Sequence, residues 1–281
     1  MSTTAIFDVP GPRARRRHLV LTLVGVLVAA LALYVVIRKM AAAEQLHAEM
    51  WKPFLTVDVW KEYIVPGLIG TLKAALISIA LAGAFGLLFG IGRLSTVRPV
   101  RWVSSVVVEF FRAVPVLIMM IFAFNLYTIN GVFQSELNPL FAVVTGLTLY
   151  NGSVVAELVR SGVHSLPRGQ AEAGLSIGLT PGQTLRSIEL PQALTAMLPA
   201  LIGQFVVVLK DSALGYAITY LELLNWSKTL GSAYANTVPA YIVAAILFIA
   251  VNYSLTVVAS RVENRLSRRG RTTLHEAAPI Q

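Results

Sequence analysis

The sequence predicts an all-α integral membrane protein of about six transmembrane helices, with both termini in the cytoplasm, and three observations carry that expectation. Hydrophobic residues make up 56% of the 281-residue chain and charged residues only 13%, against about 25% charged in an ordinary soluble domain. The apolar residues are concentrated in long runs rather than spread evenly, which is the pattern of membrane spans. Lysines and arginines gather at alternate ends of those runs, which sets an orientation. No run alternates in the strand manner over barrel lengths, which argues against a β-barrel. A net charge of +9 on a soluble chain would point to nucleic acid, but here the basic residues flank apolar runs and topology accounts for them. With no cysteine, disulfides and thiolate metal sites are excluded.

Residues 1–18 read as a basic cytoplasmic N-terminus holding Arg13, Arg15, Arg16 and Arg17. The first span is expected at Leu19–Ile37. A signal peptide is the competing reading, but its apolar core is about 7–15 residues and this run has 19. Arg38 and Lys39 also stand where a small-residue cleavage site belongs. The extracytoplasmic loop 38–65 carries Trp51 and Trp60, whose amphipathic rings favour the headgroup level. Further spans are expected at Pro66–Gly92, Val103–Tyr127, Pro139–Val159, Thr195–Thr219 and Pro239–Ala259, followed by a basic cytoplasmic tail, 263–281. Gly86 and Gly90 in the second span form a G-x-x-x-G pair that lets two helix backbones approach, within one chain or between two. With the N-terminus inside, fifteen of the 23 Lys and Arg fall on cytoplasmic pieces, five outside and three within spans.

The hydrophilic segment 160–192 reads as two short helices on the cytoplasmic side. One runs near Pro167–Ile177 and ends at Gly178, where glycine tolerates a left-handed turn. The other begins at Thr180, with Pro181 at the first helical position and Gln183 completing a capping box. Its mixed charge (Glu172, Glu189, Arg168, Arg186) and lack of bulky aromatics suit a protein partner better than a lipid surface.

The residues "GQAEAG" at 169–174, Gly178, and "IELPQAL" at 188–194 resemble the EAA loop of ABC-importer permeases. Glu172, Ala173, Gly178, Ile188, Leu190 and Pro191 fall at the family spacing, while Gly174 stands in for an alanine and weakens helix preference by up to about 1 kcal/mol. "FFRAVPVL" at 110–117, "AELVRSG" at 156–162 and "LKDSALG" at 209–215 resemble stretches of the polar amino acid (histidine/glutamine/glutamate-type) permeases. The resemblance covers about residues 63–262 and implies a permease core of five helices, preceded here by an additional helix. It further implies that Gly169, Gln170, Glu172, Ala173, Gly174, Gly178, Ile188, Leu190 and Pro191 couple the chain to a separate ATPase dimer. A second permease subunit, an extracytoplasmic amino acid-binding protein and a bacterial cell-membrane location are implied in the same way. L-glutamate is the implied cargo, with aspartate, glutamine, arginine and histidine as alternatives.

Charged side chains within spans are costly and usually face protein or a watery path. Glu109 and Arg112 stand three residues apart and can pair on one helix face, as can Glu157 and Arg160. Lys210 lies mid-span among Val206, Val207, Val208 and Leu209, beyond easy snorkelling to water. Asp211 cannot share its helix face, but Ser212 and Gly215 allow a broken helix of the kind that lines binding sites. Arg112, Glu157, Lys210, Asp211 and Ser212 are therefore candidates for a substrate pathway, with bracing of the fold as the alternative for Arg112 and Lys210 and a surface ion pair with Arg160 as that for Glu157. No G-x-x-x-x-G-K-[ST] or H-E-x-x-H occurs, and the four His are scattered outside the spans. No catalytic or metal site is expected on this chain, and ATP and Mg are expected on the partner ATPase. An ion-coupled secondary transporter is the remaining alternative, but it would leave the EAA-like loop unexplained.

Overall fold

The structure, a computed structural model, describes residues 11–275. The outermost parts of the expected basic N-terminus and tail, 1–10 and 276–281, lie outside the described residues, as do the side chains of 259 and 262–275. Every regular element among the described residues is helical. The chain divides into a unit ending at Leu55 and a unit beginning at Thr56.

The first unit holds α1, Pro12–Ala42, with proline in its first turn, where the missing N–H would have had no partner. None of its residues is buried, and leucines and valines are exposed all round it. A helix of 31 residues that is apolar on every side is long enough for the hydrocarbon core and is solvated by it.

In the second unit an apolar stretch from Val57 leads into α2, Val65–Arg93. It is followed by α3 (Arg98–Ala113), α4 (Val116–Asn130), α5 (Asn138–His164), α6 (Arg168–Ser176), α7 (Pro181–Thr184), α8 (Leu190–Asp211), α9 (Leu223–Ala233) and α10 (Thr237–His275). The most extensive helix–helix contact is that of α2 with α5. A Cβ on Gly86 would lie 2.3 Å from Val155 Cγ1, and one on Gly90 2.8 Å from Val159 Cβ. The G-x-x-x-G pair thus serves packing within the chain. Met120 and Ala123 of α4, Val143, Val144 and Leu147 of α5 and Val208 of α8 build the core beside Ala74 of α2. Ile69, Leu76, Leu88, Phe122 and Ile249 point outward, as a lipid-facing surface requires.

Two expectations need correction. The third span, Val103–Tyr127, is not one helix: α3 and α4 meet at a 99° bend, so among the described residues five helices qualify as spans and a sixth only if the bent pair counts as one. The cause is Pro115, which disfavours helical geometry at the residue before it; Val114 is extended at φ −86°, ψ 128°. The second short helix of the loop is also not a free element. From Pro181 the chain runs through α7, a wide π-type turn at Leu185–Glu189, and α8 as one stretch reaching Ile218. Pro191 does not break it, because it occupies the first turn of α8.

Candidate functional site

The loop between α5 and α8 is built by local rules. Gly178 adopts φ +85° and closes α6, with its N–H donating to the Leu175 carbonyl at 3.0 Å and the Leu179 N–H donating to that of Gly174 at 3.2 Å. Thr180 then caps α7: its hydroxyl accepts from the Gln183 N–H at 3.4 Å while the Gln183 side chain accepts from the Thr180 N–H at 2.8 Å. This is the capping box expected at Thr180 and Gln183. The helix α6 folds back on that segment, and Gly174 is what allows it. A Cβ there would lie 2.7 Å from Thr184 Cγ2 and 2.9 Å from Ile188 Cδ1. Gly174 therefore provides close contact, and α6 is continuous through it. The amide of Gln192 donates to Gln170 Oε1 at 3.0 Å and ties α6 to α8.

The EAA-like residues consequently separate into two groups. Gln170, Gly174, Ile188 and Leu190 face the base of the loop and are at least partly buried. Gly169, Glu172, Ala173, Gly178 and Pro191 are exposed. Leu175 and Ile177 join the exposed group, and Ile177, directly after the last residue of α6, is 75% accessible. Beneath the loop, Val155, Val159 and Val163 of α5 pack on Ala193 and Met197 of α8, which anchors both ends.

The charges expected near the spans converge at one place. Glu157 on α5 accepts from Arg93 at 2.8 Å, from Arg112 at 3.1 Å and from Arg160 at 2.6 Å. Arg93 also donates to Glu109 at 2.8 Å, while the expected Glu109–Arg112 pair is looser at 3.8 Å. The cluster joins the end of α2, the end of α3 and the last third of α5. Beside Glu157 at its centre stands Arg93, whose side chain is only 9% exposed and whose place in the sequence, after the second apolar run, is that of a cytoplasmic loop charge. Its partners stand 16 and 64 positions away, a separation at which sequence carries no pairing signal.

Lys210, Asp211 and Ser212 do not join this cluster. Lys210 lies in the last turn of α8 rather than mid-helix, and it is exposed. The expected irregularity follows at once: Ser212–Ile218 is a tighter 3₁₀ segment, and the buried Ser212 hydroxyl donates to the Leu209 carbonyl at 2.7 Å. Another polar pair escaped the sequence reading. Gln204 on α8 donates to Asn151 Oδ1 on α5 at 2.5 Å, with Asn151 fully buried. Among the described residues no group of His, Asp and Glu is arranged to hold a metal.

Residues 82–268 match the family described as "Binding-protein-dependent transport system inner membrane component". The chain is 48% identical to the glutamate transport system permease protein GluD of Corynebacterium glutamicum over 84% of its own length and 86% of the relative's. It is 35% identical to the probable glutamine ABC transporter permease protein GlnP of Bacillus subtilis over 72% of its length and 93% of the relative's. A solved structure described as an amino acid ABC transporter with histidines superposes with a TM-score of 0.67 at 27% identity, covering 75% of this chain and 98% of that one.

Proposed function

Because the chain belongs to the binding-protein-dependent transport system inner membrane components, and is the permease of an amino acid ABC importer, we propose that its cargo is L-glutamate and that the loop 160–192 docks on a separate ATPase subunit. In this reading the protein crosses the bacterial cell membrane with both ends in the cytoplasm. It pairs with a second permease subunit, receives its cargo from an extracytoplasmic binding protein, and leaves ATP and Mg to the ATPase.

The observation that carries the docking reading is the loop itself. Its inner residues are fastened to α7 and α8, while Glu172, Ala173, Leu175 and Ile177 stand exposed on a rigid support. A fixed apolar and acidic patch of this kind suits a groove on another protein, because little ordering is lost on binding. Glutamate is supported by the 48% identity to the corynebacterial relative; the glutamine-type relative is less similar. The charge cluster around Glu157 ties α2, α3 and α5 together below the loop, so motion of α6 would reach three helices as a unit.

Glu172→Lys tests the docking. The variant should insert normally but lose both co-purification of the ATPase and uptake of labelled L-glutamate in a strain lacking the native gene. Retention of both would refute a role for Glu172. Glutamine competing with the label as well as glutamate does would overturn the substrate assignment and leave the docking intact.

A further inference from the structure

Behind the loop lies a cavity of about 800 Å³, to whose lining the docking residue Glu172 contributes. Its floor is apolar, formed by Leu94 after α2, Val163 of α5 and Leu185. Its rim is net positive by one charge: Arg101, outside the loop, joins Arg168 and Arg186, against Glu172 and Glu189. Arg93 reaches the same space, but its charge is already met by Glu109 and Glu157. Arg101 donates to the Ser95 carbonyl at 3.2 Å, a contact between two residues of the lining. The cavity sits where α2 and α5 both end, which is the headgroup level of a bilayer. Beside it on α3, Trp102, Val106 and Phe110 form an exposed apolar stripe at spacings of four residues, with Trp102 at 68%.

A net positive rim, an apolar floor and an apolar track leading into the membrane match one chemistry, an amphiphile with an anionic head. We propose that the cavity binds the phosphate headgroup of an anionic phospholipid, whose acyl chains lie along the outer face of α3. Basic pockets at the cytoplasmic side of membrane helices recognise anionic headgroups through charge that a zwitterionic lipid does not match. The inference needs only the cavity and the ends of the spans, and stands whether or not the loop docks an ATPase.

Full-length protein in nanodiscs of phosphatidylcholine containing a minor share of phosphatidylglycerol, examined by native mass spectrometry, tests it. Wild type should retain phosphatidylglycerol in preference to phosphatidylcholine. Replacing Arg101 and Arg186 together by Gln should cut that retention about thirtyfold, the factor two arginines at the headgroup level imply. Should the double variant fail to fold, Arg186→Gln alone, at an exposed position, should cut it about fivefold. Equal retention of the two lipids, or undiminished retention by the folded variants, would overturn the proposal. Displacement of the lipid by inorganic phosphate would also overturn it, by making the site one for a soluble anion.

Discussion

Glu222 shows how much one buried carboxyl can control. It is fully buried at the start of α9, where its two oxygens accept from the N–H groups of Leu224 and Asn225, both at 2.7 Å. No cation pairs with it among the described residues, and Tyr220 nearby is occupied in donating to the Gly70 carbonyl at 2.8 Å. Burial outweighs the two N–H donors and pushes the carboxyl up to about 7. Because the folded state holds this proton more tightly than the unfolded chain, its contribution to stability is complete below about pH 4.5 and is lost as pH rises through about 7. Thermal unfolding in detergent, followed by tryptophan fluorescence, should thus show a midpoint that falls over that window. Glu222→Gln, which keeps an acceptor but no charge, should make the midpoint flat there; an unchanged slope would exclude Glu222 as its source. Nothing in the sequence singles this residue out, since glutamate is not among the favoured capping residues. The same blindness applies to Arg93 and to the Asn151–Gln204 pair, which only the folded chain brings together. Glu157 and Arg112 were recognisable because a charge in an apolar run stands out by itself.

At the scale of the element, punctuation residues were the readable part. Gly178, Thr180, Pro181 and Gln183 specify their turn and cap through local chemistry, and the structure uses all four as the sequence implies. The α3–α4 bend was legible in Pro115, but a run of apolar residues spanning it looks like one helix when only hydropathy is weighed. The role of Gly174 was hidden for a different reason. By propensity it is a weak point in α6, and only the contact with Thr184 and Ile188 shows why a side chain is excluded. A Val at that position would press branched methyls against the buried Thr184 while gaining helix preference of well under 1 kcal/mol. Overpacking costs about 1–3 kcal/mol, so Gly174→Val should be net destabilising and should lift α6 from its support. Limited proteolysis within 168–180 should then accelerate while the membrane-embedded helices stay protected. Unaltered cleavage would show that α6 does not depend on this contact.

The whole molecule raises a question of parity that hydropathy alone does not answer. The helix α4 has 15 residues, about 22 Å at 1.5 Å per residue, which is short of the roughly 30 Å hydrocarbon core. It crosses only if the turned end of α3 completes the path; otherwise the bent pair dips in and returns. The two arrangements differ in where the ends of the pair emerge. Thr96 precedes α3, Ser135 lies between α4 and α5, and Ser176 follows α5, which at 27 residues crosses by itself. If the pair crosses, Thr96 and Ser176 share one side and Ser135 the other; if it returns, Thr96 and Ser135 share a side. The lysine and arginine bias selects the first arrangement, since Arg93, Arg98 and Arg101 then join Arg160, Arg168 and Arg186 in the cytoplasm. Since the chain has no cysteine, Thr96→Cys, Ser135→Cys and Ser176→Cys each introduce a single thiol into a silent background. In intact cells expressing the chain without its partners, a membrane-impermeant maleimide should label only Ser135→Cys, and inverted vesicles should label only the other two. Labelling of Thr96→Cys together with Ser135→Cys would make the bent pair re-entrant and the second unit a four-span domain, with the charge cluster then bridging opposite sides of the membrane. The short distances from Arg93 to Glu109 and Glu157 make that arrangement untenable, because all three must lie at one depth.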